Sequence, residues 1–150
     1  MSDLVKILAI NGPNLNMLGT REPEIYGADT LADVEARCRS ICDAEGAALE
    51  WIQTNSEAEI VTTIQQASGI HDWIVINAAG LTHCSVPLRD ALALFSGRKI
   101  EVHLSNVHKR ESFRNHSMIS AVVDGVVLGF GVMSYVMAIK GVIDMARESK

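Results

Sequence analysis

Trp73-Ile74-Val75-Ile76-Asn77 is four large apolar residues followed by one amide. A strand with one wet face alternates apolar and polar residues. A run without alternation fits a strand covered on both faces. Such strands belong to parallel sheets, whose crossover connections lay helices over both sides. Outward from this run the same alternation of element types continues. Upstream, residues 4–10 are a β-rich run stopped by Asn11-Gly12-Pro13-Asn14, and residues 49–53 are another. Downstream, residues 100–104 and 126–130 supply a fourth and a fifth. Thr30 reads as the N-cap of a helix with Leu31, Val34, Cys38, Ile41 and Cys42 on one face and Gly46 as its stop. Ser56-Glu57-Ala58-Glu59 fits a capping box ahead of a helix that turns Ile60 and Ile64 inward. Pro87 falls in the first turn of a third helix that reaches about Phe95, and residues 132–147 form a closing helix. Five strands and their helices predict an α/β architecture: a parallel sheet of order 2-1-3-4-5 with helices on both faces. No repeat or linker divides residues 1–150, so one catalytic-size domain is expected.

Composition removes several function classes. The net charge of −5 disfavours a nucleic-acid partner, which needs a basic face. No apolar run reaches the ~18 residues of a membrane helix. No charged leader followed by an apolar stretch opens the chain, which points to a cytoplasmic protein. Cys38, Cys42 and Cys84 form no CxxC pair, and Cys38 and Cys42 read as small core residues. His83, His103 and His108 lack a metal-binding spacing, so no metal site is expected. Gly125 to Gly131 is glycine-rich but comes too late in the chain for a dinucleotide loop.

Open parallel sheets bind ligands beyond the carboxyl ends of their strands. Those ends carry Asn14, Asn55, Asn77, Thr82, His83, His103, Ser105 and Asn106. Asn77 could donate to a ligand oxygen or simply satisfy loop backbone. His103, next to Leu104-Ser105-Asn106, suits a proton-transfer role as well as a satisfied core role. Arg110 and Arg114 share a face if their segment makes a helical turn. They are either a solvated basic turn or a grip on a carboxylate. Residues 18–27 form a long loop of the kind used as lids, with Gly19 and Gly27 as candidate hinges and Arg21 and Tyr26 upon it. Tyr26 could equally be a packing aromatic.

Taken together, the segments resemble one family. They are Asn11-Gly12-Pro13-Asn14-Leu15-Asn16, then Gly19-x-Arg21-Glu22-Pro23-x-x-Tyr26-Gly27, then Asn55-Ser56-Glu57, then Leu81-Thr82-His83-x-Ser85-Val86-x-Leu88-Arg89-Asp90-Ala91. The last is Ile100-Glu101-Val102-His103-Leu104-Ser105-Asn106-Val107-His108-x-Arg110-Glu111-x-Phe113-Arg114. In order and across nearly the whole chain, they look like the signature of the type II 3-dehydroquinate dehydratases. The resemblance implies a flavodoxin-like three-layer sandwich and anti elimination of water from 3-dehydroquinate to give 3-dehydroshikimate. It implies no cofactor and no metal, and a homododecamer built as a tetramer of trimers. By the same resemblance Tyr26 is the proton acceptor at C2, Arg21 stabilises the transition state, and His103 is the proton donor to the departing hydroxyl. Asn14 orients a water. Asn77 and the backbone of Leu104 and Ser105 hold the carboxylate, and His83 and Arg114 grip ring hydroxyls. Asp90 arrives from a neighbouring subunit, and Arg110 favours the ionised form of Tyr26.

The chemistry is coherent. Proton loss α to a ketone builds an enolate that needs preorganised donors. A free tyrosine, with a pKa of about 10, is only about 0.1% ionised at pH 7. A neighbouring cation lowers an acid's pKa by about 1–3 units. Some positions depart from the family's pattern. Asn77-Ala78-Ala79-Gly80 stands for the frequent Asn-Pro-Gly-Ala, Ala58 for glycine, and Ser134 for the glycine usual before Tyr135. Fold does not fix function, so a non-catalytic small-anion-binding protein on the same fold is the alternative. Aromatic amino acid biosynthesis in the shikimate pathway and quinate catabolism are both compatible with the sequence.

Overall fold

A computed structural model describes residues 4–20, 24 and 27–149. The elements are β1 (Lys6–Asn11), α1 (Leu31–Glu45), β2 (Ala48–Gln53), α2 (Glu57–Ala67), β3 (Trp73–Asn77), α3 (Val86–Leu94), β4 (Arg98–His103), β5 (Gly125–Leu128) and α4 (Val132–Glu148). The strands form one parallel sheet in the order β2-β1-β3-β4-β5, as the sequence pattern predicts.

Side-chain parity divides the core into two layers. Ile7, Trp73, Val75, Ile100 and Val102 pack with Val34, Cys38 and Cys42 of α1 and with Tyr135, Ile139 and Val142 of α4. Leu8, Ile10, Ile74 and Ile76 pack with Ile60 and Ile64 of α2 and with Leu88 and Leu92 of α3. Every residue of β3 is buried, which is why this strand carries no alternation in its sequence. A fully buried Leu or Ile contributes about 1.5–3 kcal/mol. Burial of this kind, more than helix propensity, holds the four helices in place.

The helix starts carry informative differences. Thr30 and Asp33 make a full capping box: Thr30 Oγ1 accepts from Asp33 N at 3.2 Å, and Asp33 Oδ2 accepts from Thr30 N at 2.9 Å. The expected box at Ser56–Glu59 is only half present. Ser56 Oγ accepts from Glu59 N at 3.1 Å. The return arm runs through Thr54, whose hydroxyl accepts from Ser56 N at 3.0 Å and donates to Glu59 Oε2 at 2.7 Å. A hydroxyl both donates and accepts, so Thr54 inserts between the two groups that a box would join directly.

Strand limits move by one or two residues. β4 begins at Arg98, because Arg98 and Lys99 pair with Trp73 and Ile74. β5 ends at Leu128, before Gly129 turns the chain at φ 92°. The expected irregular loop after Ser105 contains 3₁₀ turns at Val107–Lys109 and Ser112–Asn115.

Gly12 joins the exits of β1 and β3. Its N–H donates to Asn77 O at 2.8 Å. A Cβ at this position would lie 2.7 Å from Ala78 O and 2.9 Å from Ala78 C, both backbone atoms. Gly12→Ala is expected to destabilise the fold by about 1–3 kcal/mol, the usual cost of overpacking. Urea denaturation checks this, and an unchanged midpoint would contradict the contact.

Candidate active site

A cavity of about 160 Å³ opens at the carboxyl edge of the sheet. The exit of β1 supplies Pro13, Asn14 and Leu15, the exit of β3 supplies Asn77, Ala79 and His83, and the exit of β4 supplies His103, Leu104 and Ser105. Arg110, just after the first 3₁₀ turn, and Arg114, on the second, close one side. Most of the residues singled out from the sequence therefore meet in one place. Asp90 does not: it is exposed on α3 and is not part of this cavity. Arg21 and Tyr26 lie outside the described residues.

His103 is fixed by Glu101, two residues earlier on β4 and so on the same side of the strand. His103 Nε2 lies 2.5 Å from Glu101 Oε2. Burial pushes the Glu101 carboxyl up, but hydrogen bonds from His103, Ser120 and Ser117 outweigh it and hold the group below the usual carboxylate range. Glu101 is therefore an acceptor, and Nε2 of His103 carries the proton. Nδ1 has no partner among the described residues and is the nitrogen left for a ligand.

His83 stacks beside His103, with ring centroids 6.5 Å apart and planes 17° apart. Its Nδ1 donates to His116 O at 2.8 Å. Burial lowers the His83 pKa, and His103 and Arg114 lower it further, against the opposing pull of the His116 carbonyl. His83 is thus neutral near pH 7, with Nε2 as an acceptor. Arg114 Nε donates to Glu111 Oε1 at 2.9 Å, and Arg110 Nε lies 3.8 Å from the same oxygen. Arg110 Nη1 also donates to Ser105 Oγ at 3.5 Å.

Asn14 (φ 71°) and Ala79 (φ 52°) are the non-glycine residues with positive φ among those described, and both line the cavity. The left-handed region costs an L-residue about 1–2 kcal/mol, less for asparagine, and such strain gathers at functional sites. Each is held by an amide oxygen. Asn14 N donates to Asn55 Oδ1 at 3.0 Å, and Ala79 N donates to Asn77 Oδ1 at 3.1 Å. The positive φ of Ala79 accounts for the glycine that the family's pattern prefers there. Ser134, another departure, is fully buried, and its hydroxyl accepts from Phe130 N at 3.0 Å at the start of α4.

Reading the sequence missed Glu101 as part of the site, along with Asn11 and Tyr135. Glu101 gave a signal: an acid within a β-rich run, two residues before a histidine. Asn11 and Tyr135 gave none, since 124 positions separate them. Among the described residues, no group of three His, Cys, Asp or Glu is placed to hold a metal ion, and no helix is long and apolar enough to cross a membrane.

The chain is similar to known proteins over nearly its whole length. Residues 5–143 match the family described as dehydroquinase class II. The chain is 55% identical to the 3-dehydroquinate dehydratase of Azorhizobium caulinodans over 139 residues, covering 93% of this chain and 92% of that one. It is 48% identical to the 3-dehydroquinate dehydratase of a Jannaschia species over 144 residues, covering 96% and 97%. The crystal structure of a type II dehydroquinase from Butyrivibrio crossotus superposes with a TM-score of 0.92 at 42% identity, covering 95% of this chain and 99% of that one.

The lowered His83 pKa has a consequence for stability. The unfolded chain binds this proton first as the pH falls below the ordinary value of 6.5. Stability contributed by neutral His83 is therefore present above that pH and is lost on acidification. Glu101 adds a second loss at lower pH, below its ordinary value of 4.5. Thermal melts from pH 7 to 5 should show a smaller acid-side decrease for His83→Gln than for the wild type. An identical slope would contradict the assignment.

Proposed function

The chain belongs to the class II dehydroquinase family, and from that membership we propose how its residues carry out the reaction. The protein is a lyase that removes water from 3-dehydroquinate in the shikimate pathway. The non-catalytic alternative finds no support in the family match or in the relatives.

The observation that carries the mechanism is the orientation of His103. Its Nε2 is committed to the Glu101 carboxylate, which leaves Nδ1 for the cavity. Tyr26, as phenolate, takes the C2 proton and leaves an enolate. Arg21 stabilises the charge that moves to the enolate oxygen, and Asn14 orients a water there. His103 then gives a proton from Nδ1 to the C1 hydroxyl, which departs as water, and the double bond forms between C1 and C2. Glu101 offsets the charge of the doubly protonated ring that this step requires. Arg110 favours the phenolate of Tyr26, as a nearby cation does for any acid. Asn77 and the backbone of Leu104 and Ser105 hold the carboxylate. Neutral His83 accepts from a ring hydroxyl through Nε2, and Arg114 donates to another. None of these roles asks for a metal or a cofactor.

Residues 1–150 act as one catalytic domain, in keeping with a single sheet from which the segments after β1, β3 and β4 converge on one cavity. The assembly is a homododecamer, a tetramer of trimers, in which Asp90 completes a neighbour's site. Supporting this, Asp90 is exposed on α3, and Val86 and Leu94 of the same helix are 49% and 76% exposed. Apolar surface of this kind on one helix suits burial against another subunit. The enzyme works in the cytoplasm, and the same reaction would serve quinate catabolism.

Tyr26→Phe and His103→Ala should each lower kcat by about 10²–10⁴-fold, the usual worth of a general base or acid. The assay is the ultraviolet absorbance of the enone product, with and without borohydride. Loss of activity in borohydride would indicate a Schiff base, and near-normal kcat in Tyr26→Phe would remove Tyr26 as the base. Dilution that dissociates the assembly should abolish activity. A fully active monomer would contradict the role of Asp90.

A further inference from the structure

One polar chain runs through the apolar layer between the sheet and α4. Asn11 and Asn77 are the last residues of β1 and β3, face each other in register, and are 0% and 4% exposed. Tyr135, in the first turn of α4 and 1% exposed, reaches both. Its hydroxyl donates to Asn11 Oδ1 at 2.6 Å and accepts from Asn77 Nδ2 at 3.0 Å. Asn11 Nδ2 donates to Ile52 O at 3.0 Å, and Asn77 Oδ1 accepts from Ala79 N at 3.1 Å.

Backbone groups at both ends fix the direction of this chain. The Ile52 carbonyl can only accept, so Nδ2 of Asn11 must point at it. The Ala79 N–H can only donate, so Oδ1 of Asn77 must point at it. Between them the Tyr135 hydroxyl has one consistent orientation. One N–H of Asn77 is thereby committed. The other has no partner among the described residues, and Asn77 lines the cavity. The side chain therefore offers the cavity a donor and holds its acceptor away.

We propose that Tyr135 is a positioning residue: through its hydroxyl it locks Asn77 with a donor toward the cavity, and so sets the affinity for the substrate carboxylate. This rests on the reading of Asn77 as a carboxylate ligand. Burial keeps the Tyr135 hydroxyl protonated, well above the usual tyrosine range, as its donation to Asn11 requires. Without the hydroxyl, the Asn77 amide keeps only the Ala79 N–H bond against rotation, and its oxygen turns more readily toward the anion.

The test is steady-state kinetics with 3-dehydroquinate on the wild type, Tyr135→Phe, Asn77→Ala and the double variant, with thermal melts alongside. A group that binds substrate and transition state alike affects KM and spares kcat. Tyr135→Phe is expected to raise KM about tenfold with kcat within threefold, and the double variant to match the KM of Asn77→Ala within twofold. A merely structural role would lower the melting temperature and leave KM unchanged. If Tyr135→Phe melts below the assay temperature, Asn11→Ala removes the acceptor of the Tyr135 proton and keeps the ring, with the same expectations. An unchanged KM in Asn77→Ala overturns the carboxylate reading, and the proposal with it. A raised KM in Asn77→Ala beside an unchanged KM in Tyr135→Phe, or multiplicative effects in the double variant, overturns the proposal alone.

Discussion

Glu101 places a carboxylate at 1% exposure inside a central strand, where an unmatched charge would cost several kcal/mol. Matching it organises half of the site. His103 supplies one donor, Ser120 Oγ another at 2.5 Å, and Ser117 Oγ lies 3.2–3.3 Å from both carboxylate oxygens. Ser117 Oγ also accepts from Ile119 N and Ser120 N, so the turn folds around the hydroxyl that faces the acid. The same segment reaches the exit of β3. Met118 N donates to Thr82 O at 2.7 Å, and His116 O accepts from His83. One buried charge thus fixes the ring of His103 and, through residues 116–120, the ring of His83. Its cost is offset by the same bonds that orient the two rings at the cavity.

The other half of the site belongs to the opposite face of the sheet. Side chains alternate along a strand, so Asn11 and Asn77 share the face of Ile7 and Val75 toward α4, while Glu101 and His103 lie opposite Ile100 and Val102, on the side of α2 and α3. The cavity lies where the two faces meet beyond the strand ends. The two faces of the sheet therefore give His103 and Asn77 separate supports. His103 depends on a charge-assisted pair and Asn77 on a neutral chain, and neither network contains a residue of the other.

Much of this was legible in the sequence, for identifiable reasons. The unbroken run of β3 and the 3.6-residue spacing of α1 report burial directly, and burial decides sheet order and helix placement. Residues at strand ends were expected to line one cavity because the architecture leaves ligands only one edge, and they do. What escaped was whatever depended on particular hydrogen bonds that the sequence pattern does not reveal. The Ser56 cap looked like a box because the motif cannot reveal that Thr54 lies within reach. Asn11 read as part of a turn, since its partner Tyr135 sits on the last helix. Strand ends drifted because Arg98 and Lys99 look like loop residues until pairing with β3 recruits them. The left-handed Ala79 was visible only as a departure from the pattern; its dihedral angle supplies the reason glycine is common there.

Gly12 carries one more consequence. With Ala78 packed where its Cβ would be, and with its N–H bonded to Asn77 O, the turn after β1 and the turn after β3 share a rigid joint. Asn14 lies in one turn, and Asn77 ends the strand that leads into the other. A displacement of either turn is transmitted to its neighbour. The mouth of the cavity therefore moves as a single body on this side, and its contacts with a ligand form or break together.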